Sequence, residues 1–390
     1  MRQTADVIII GAGIMGCSTA FQLAKRGLAV TVLERETIGA GGTGRSSAII
    51  RQHYSHELTA RMALHSLRVF QNFDDAVGGE CGFQQTGWVA IAQAKDKSAL
   101  EANVALQQGL GIRTQLVAPD ELRELVPEME TGDVVAAAYE PEGGYADAHL
   151  TVTAYAEAAK RHGATFRVGT EVTGIRMIGD RVAGVDTQTD AFDAPIVVNC
   201  AGPWAARVAK ITGIDVPIDS CRVQVAVFKR PDQYGGHPVI MDFIHGVYLR
   251  AETGNLTIAG SIDPSEADAV VDPDDYVKHV ADDFVEHVAE RFVRRCPPME
   301  QSESRGGFAS LYAVTPDWHP IVDQVRVGSG CYLCSGFSGH GFKLGPAVGL
   351  MVADLLTQES NPEFPADLFR LHRFVSGELV RGRYEYSIAG

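Results

Sequence analysis

The sequence predicts an α/β domain built on a parallel sheet, joined to an α+β region whose sheet is mostly antiparallel. Three observations carry this prediction. An apolar, β-branched run at residues 6–10 leads into a glycine turn and a helical stretch. A second apolar run, residues 327–333, leads into another glycine turn and helix near the C-terminus. Between them lie segments that alternate apolar and polar residues with period two. The 390 residues are long for one core, since a domain holds roughly 100–200 residues.

Asp6-Val7-Ile8-Ile9-Ile10 reads as a parallel strand buried on both faces. Gly11-Ala12-Gly13-Ile14-Met15-Gly16 follows at once, then a helix over residues 17–26 closed by Gly27. Residues 29–33 form a second strand ending at Glu34. Strand, G-x-G-x-x-G, helix, strand and acid in one unit is the Rossmann-like pattern for a dinucleotide. Gly11 permits the tight turn, Gly13 lets backbone approach a pyrophosphate, and Gly16 lets helix and strand pack closely. Ile14 and Met15 lie in the turn that leads into the helix, whose N-terminal N–H groups face the phosphates. Glu34 accepts hydrogen bonds from ribose hydroxyls. Arg35 follows it, and the loop of residues 37–44 holds Gly39, Gly41, Gly42 and Gly44 before Arg45-Ser46-Ser47. Such a loop suits close passage along an extended cofactor.

Farther along, helices are expected over residues 97–110, 119–126, 150–162 and 274–295. Strands are expected over 87–92, 168–172, 193–199, 221–229, 239–250 and 255–261. Ala201-Gly202 then lets the chain pass close to a ligand before a helix from Trp204. The C-terminal strand meets Gly336-Phe337-Ser338-Gly339-His340-Gly341-Phe342-Lys343, with a helix over 345–356. The resulting borders are 1–85, 145–220 and 305–390 for one discontinuous domain, and 86–144 with 221–304 for the other.

Composition excludes several classes. Lys plus Arg is 34 against 49 Asp plus Glu, a net charge of −15, which repels nucleic acid. Seven cysteines do not make a disulfide framework and point to a reducing, cytoplasmic setting. The apolar stretch of residues 7–20 is too short for a membrane span, and no other run reaches the length required. No metal site is expected. Cys331 and Cys334 are a single pair in an apolar strand, His53, His56 and His65 lack zinc-ligand spacing, and the acidic run 266–275 lacks ordered ligand spacing and reads as a solvated loop.

Three segments together resemble the D-amino-acid-oxidase-type superfamily of FAD enzymes, in its sarcosine oxidase and glycine oxidase branch, sarcosine oxidase β-subunits included. They are Val7 to Glu34 with Gly44-Arg45-Ser46-Ser47-Ala48-Ile49-Ile50-Arg51, Val197-Val198-Asn199-Cys200-Ala201-Gly202-Pro203-Trp204, and Gly336 to Pro346. The resemblance implies an α/β FAD-binding Rossmann-like domain plus an α+β substrate domain. It implies that Val172 meets the adenine through its backbone, that Ala201, Gly202 and Trp204 line the cofactor, and that the turn Gly339, His340, Gly341, Phe342 and Lys343 faces the flavin's pyrimidine edge, where N–H groups stabilise developing negative charge. It also implies that Lys343 and Arg51 bind a substrate carboxylate. Arg250 is a further candidate for that carboxylate, Tyr248 shares its strand face, and His340 is placed to bond flavin or substrate.

The chain departs from the family at two positions. Ser310 stands where monomeric sarcosine oxidases carry the cysteine that tethers the flavin; serine forms no thioether, so FAD without that link is expected. Thr257 aligns with the lysine those oxidases place over the flavin for O2, which leaves an electron carrier as an alternative acceptor. The reaction implied is oxidation of a C–N bond in an amino acid or N-alkyl amino acid, by hydride transfer to flavin N5, to an imine that water hydrolyses. A flavoprotein subunit that works only with partner chains is an alternative. An NAD-dependent dehydrogenase is another; it would share the first motif without needing the C-terminal turn.

Overall fold

The computed structural model describes residues 3–263 and 269–382. A six-stranded sheet runs in the order Ile321–Gln324, Cys331–Ser335, Ile196–Asn199, Val7–Ile10, Val30–Leu33 and Thr165–Arg167. Every neighbouring pair is parallel except the first. Val7–Ile10 is buried at every residue because both faces are covered. Val7 and Ile9 join the apolar core formed with helices Ile14–Lys25, Glu57–Gln71, Ala148–Arg161 and Gly341–Thr357. Ile8 and Ile10 point the other way, to Ile175, Val185 and Phe192 of a four-stranded sheet. Its order is Gln3–Thr4, Ala191–Asp193, Arg181–Thr187, Val172–Ile178.

The second large sheet has eight strands, in the order Glu303–Val314, Asp219–Lys229, Leu256–Ser261, Val247–Glu252, Val239–Asp242, Trp88–Ala92, Ala136–Glu140 and Gln115–Val117. Only Val239–Asp242 with Trp88–Ala92 is a parallel pair. Helix Asp282–Arg295 covers one face through Phe284, Val288 and Phe292. Helix Lys97–Gly109 covers the other through Leu100 and Val104. The mostly antiparallel sheet expected from the alternating segments is thus present. Among the described residues no helix is long and apolar enough to cross a membrane. All seven cysteines are buried and none is in a disulfide among the described residues, Cys331 and Cys334 included.

Several elements differ from expectation. The strand expected over 327–333 is Cys331–Ser335, because residues 327–330 turn at Gly328 and Gly330, with φ 76° and 75°. Residues 168–171 are not strand: Gly169 takes φ 65°, and the chain turns there to wrap Glu34, whose carbonyl accepts from the Thr170 N–H at 2.8 Å. The stretch 239–250 is a hairpin of two strands, turned at Gly246 with φ 71°. The helix expected from residue 274 begins at Asp282, because residues 272–275 form a tight turn, closed by the Asp275 N–H to the Asp272 carbonyl at 3.1 Å, whose Asp274 carboxylate is held by groups across the molecule. The last helix starts at Gly341, four residues early; Pro346 inside it forfeits one i→i−4 bond without ending it.

The early start matters. A Cβ at Gly345 would stand 2.5 Å from Ile14 Cγ1, and one at Gly349 would stand 2.7 Å from the Ser18 backbone. Helices Ile14–Lys25 and Gly341–Thr357 therefore touch almost backbone to backbone, and their N-termini open side by side.

Candidate active site

The first glycine turn is built by close contact. Gly11 has φ 100°, and a Cβ there would come within 2.7 Å of the Cys200 carbonyl oxygen; one at Gly16 would fall 1.9 Å from the Gly11 carbonyl oxygen. No acidic side chain sits in the first turn of helix Ile14–Lys25, so its positive end remains available to an anion. The Ile14 N–H donates to Thr43 Oγ1 at 3.0 Å. Glu34 braces the turn: Oε2 accepts from the Ala12 N–H at 2.8 Å and Oε1 from the Glu36 N–H at 2.9 Å.

This turn opens on a cavity of about 890 Å³. Gly11, Gly13, Ile14, Met15, Glu34, Arg35, Arg45, Ser46, Ser47, Val172, Ala201, Gly202 and Trp204 line it, as do Gly339, Gly341 and Phe342 of the C-terminal turn. Both glycine turns thus face one space. Gly16 and Gly44 do not line it; each is needed for packing, Gly44 because a Cβ would stand 2.5 Å from the Gly39 carbonyl oxygen. Arg45 donates to the Ala40 carbonyl at 3.1 Å, which shapes the loop. Ser310 is on the cavity wall.

Asp274 closes one end. Its Oδ1 accepts from Arg35 Nη1 and from Trp204 Nε1, both at 2.8 Å, while the Arg35 guanidinium lies 4.2 Å from the Trp204 ring centroid. Arg207 pairs with both Asp272 and Asp274. Partial burial opposes the charge on Asp274, but the bonds from Arg35 and Trp204 prevail and hold its carboxyl below the usual range. The part of the acidic run that is described is thus an exposed loop, as expected, and one that also serves as a clasp through Asp274; residues 264–268 lie outside the described residues.

A second cavity, about 550 Å³, shares Ser46, Ser47, Tyr312, Ser338, Gly339 and Phe342 with the first. Arg51, Tyr248, His340 and Lys343 line it. Lys343 is 7% exposed and makes no hydrogen bond or ion pair among the described residues. Burial first, and the Arg51 charge second, drive its ammonium well below the usual lysine range. Its place in the first turn of helix Gly341–Thr357 adds an adverse dipole. His340 donates from Nε2 to the Trp318 carbonyl at 2.8 Å, which leaves Nδ1 as a buried acceptor with no partner. Burial and then Lys343 push its pKa far down, so the ring is neutral.

Arg51 is 3% exposed. Its guanidinium donates to the His53 carbonyl and lies 4.4 Å from the Tyr54 ring centroid and 5.8 Å from that of Trp88. The Tyr248 hydroxyl meets Ser47 Oγ at 3.3 Å, and burial raises its pKa. Two expected neighbours are elsewhere. Arg250 lines neither cavity; Glu252, two residues along the same strand, takes its Nη2 at 2.7 Å, and the Tyr145 ring lies 4.2 Å from its guanidinium. Thr257 is fully buried, bonded to His237 Nε2 at 3.0 Å and Arg230 Nη1 at 3.1 Å, and lines neither cavity.

The residues present fit FAD. The glycine cradle excludes side chains where a pyrophosphate would pass, Glu34 stands at the end of the second strand, and the cavity runs from the Asp274 clasp to the C-terminal turn. Thr43, Asp274, Tyr312 and Gln224 were not singled out from the sequence. Only Tyr312 had a signal there, in its place beside Ser310.

Residues 6–355 match the family described as FAD dependent oxidoreductase. The mitochondrial sarcosine dehydrogenase of Homo sapiens is 29% identical over 384 residues, which cover 96% of this chain but 42% of that protein. This chain therefore spans less than half the length of that relative. The sarcosine oxidase subunit beta of Rhodobacter capsulatus is 26% identical over 386 residues, 97% of this chain and 91% of that one. The crystal structure of L-proline dehydrogenase from P. horikoshii superposes with a TM-score of 0.90 at 30% identity, covering 97% of this chain and 100% of that chain.

Proposed function

This chain belongs to the FAD dependent oxidoreductase family, and from that premise we propose that it oxidises the C–N bond of an amino acid or N-alkyl amino acid to an imine, which water hydrolyses. Bound FAD supplies the hydride acceptor. In this reading residues 1–85, 145–220 and 305–390 hold most of the cofactor, with Asp274 and its neighbours reaching over from the other region, and residues 86–144 and 221–304 otherwise shape the substrate side. The observation that carries the substrate class is the pair of buried basic side chains, Lys343 and Arg51, on a cavity that shares a wall with the cofactor's. A buried ammonium without an anion is costly, and a substrate carboxylate supplies one. Charge-assisted bonds of this kind orient as well as bind. Neutral His340, with Nδ1 as an open acceptor, is placed to receive an N–H of the substrate amine. FAD is held without a thioether at Ser310. With Thr257 turned away, no cation from that strand stands ready for O2, which favours an electron carrier as acceptor.

The test is flavin bleaching without air against amino acids, N-methyl amino acids and cyclic imino acids, repeated in air with peroxide measured. Bleaching by amino or imino acids but not by the corresponding amines lacking a carboxylate is expected. Equal bleaching by decarboxylated analogues would overturn the assignment of Lys343 and Arg51. A second reading, a subunit active only with partner chains, is supported by the 91% coverage of a sarcosine oxidase subunit beta. Turnover by the purified chain alone would refute it.

A further inference from the structure

Behind Arg51 lies a polar cluster that the proposed reaction does not use. Gln52, His53, Asn103, Gln107 and Glu140 are each at most 3% exposed. They come from three elements: the segment after strand Ile49–Ile50, helix Lys97–Gly109 and strand Ala136–Glu140. Glu140 Oε2 accepts from the Gln52 N–H at 2.8 Å, and His53 Nδ1 is 3.8 Å from Glu140 Oε1. Asn103 and Gln107 hold the His53 ring at 3.2 and 3.3 Å. Yet Oε1 of Glu140, Oε1 of Gln107, both side-chain polar atoms of Gln52 and Nε1 of Trp88 have no hydrogen-bond partner among the described residues. So many unsatisfied buried groups at one place are unusual in a structural core. They mark a polar chamber suited to bridging water.

We propose that Glu140 takes up a proton from solvent when a carboxylate binds at Arg51 and Lys343, and so acts as a positioning residue that keeps Arg51 facing the ligand. The inference rests on the carboxylate assignment above. Its logic is charge balance. With the site empty, the Glu140 carboxylate can share Arg51. A ligand carboxylate brings a second negative charge to the same guanidinium, in a region with little water to screen it. Protonating Glu140 removes the competition; one proton is gained by Glu140, none by the ligand, and nothing is oxidised. The titratable groups that face Glu140 are Arg51, His53 and Tyr54; Gln52, Trp88, Asn103 and Gln107 are neutral. Burial, then Arg51, depress His53 to about 3, and burial lifts Tyr54 to about 12. Neither changes charge near neutrality. Burial pushes the Glu140 carboxyl up to about 7, against the Gln52 N–H and Arg51, so this group can exchange a proton under working conditions.

The test uses the FAD-loaded chain and acetate, a carboxylate with no amine of its own. Acetate affinity is followed through the flavin spectrum between about pH 6.5 and pH 9, and proton uptake by calorimetry in two buffers of different ionisation enthalpy. Uptake of one proton weakens binding by up to about tenfold per pH unit above the group's pKa. Lys343 contributes in the same direction, so the comparison with Glu140→Gln isolates Glu140. The wild-type slope of log Kd against pH should exceed that of Glu140→Gln, which should take up fewer protons. Identical slopes and uptake in the two proteins would overturn this inference alone. Failure of acetate to bind at all would overturn the carboxylate site and this inference with it. Should the variant not fold, infrared difference spectra of the wild type decide: a carboxylic-acid C=O band that grows on acetate binding supports uptake by a buried acid, and its absence refutes it.

Discussion

Replacing Lys343 by Met separates the binding of substrate from the stability of the protein, because the two should move in opposite directions. Met keeps the length and apolar stem and removes the ammonium. In the substrate complex the lost contact is a buried charge-assisted hydrogen bond, about 1.5–3 kcal/mol. At about 1.4 kcal/mol per tenfold, KM for a carboxylate substrate should rise by roughly 10- to 150-fold, with a smaller change in kcat. Without substrate the ammonium is buried with no anion and with Arg51 adding to the penalty, so the Met protein should melt at a higher temperature. The sign with pH follows. The folded pKa of Lys343 lies below its unfolded value, so between the two the unfolded chain binds more protons and wild-type stability rises with pH. The Met variant should lack that rise. The assays are steady-state kinetics and thermal melts of the substrate-free holoprotein across pH. An unchanged KM, or a lower melting temperature in the variant, would show that Lys343 already has an anionic partner and is structural.

Three further outcomes are expected. Gly16→Ala would place a Cβ 1.9 Å from the Gly11 carbonyl oxygen; backbone cannot give way there without opening the turn, so the purified protein should lose its flavin while keeping its secondary structure by circular dichroism, and full flavin occupancy would refute the turn's role. Asp274→Ala removes the acceptor shared by Arg35 and Trp204 at 2.8 Å; since the clasp is largely solvent-facing, each lost bond is worth about 1 kcal/mol or less, and flavin dissociation, followed by fluorescence, should quicken several-fold without a change in kcat. Acid precipitation of the holoprotein should release all flavin to the supernatant, as Ser310 forms no thioether; flavin retained in the pellet would show another covalent link.

What could be read from the sequence is what short-range sterics dictate. Gly16 is required by a clash with the Gly11 carbonyl oxygen five residues before it, and Gly11 by its own φ of 100° as well as by the distant Cys200 carbonyl, so the spacing carries the local part of the information. The same holds for the strand Val7–Ile10, whose unbroken apolar run requires cover on both faces. The failures have the opposite character. Asp274 reaches Arg35 across 239 residues, and nothing in an acidic run says which arginine will meet it. Arg250 was placed correctly on the face of Tyr248, but pairing with Glu252 decides where a long side chain ends, and alternation is silent on that. Glu140 ends an apolar strand, where an acid ordinarily marks the surface; it is the packing of helix Lys97–Gly109 that buries it.

The placement of the second turn shows the boundary between the two kinds of information. Gly345 and Gly349, one helical turn apart, were read only as part of a helix. Their real function is to remove two side chains from the contact with Ile14 and Ser18. Helices approach only as closely as their interface residues allow, ordinarily about 8–10 Å between axes, and here glycine sets the distance. Because that contact brings two helix N-termini to one cavity, packing would fix where the pyrophosphate and the flavin edge of FAD lie before any charge acts on them. Enlarging Gly349 should therefore weaken flavin binding although residue 349 lines neither cavity, a long-range effect that a purely electrostatic account of the two turns does not predict.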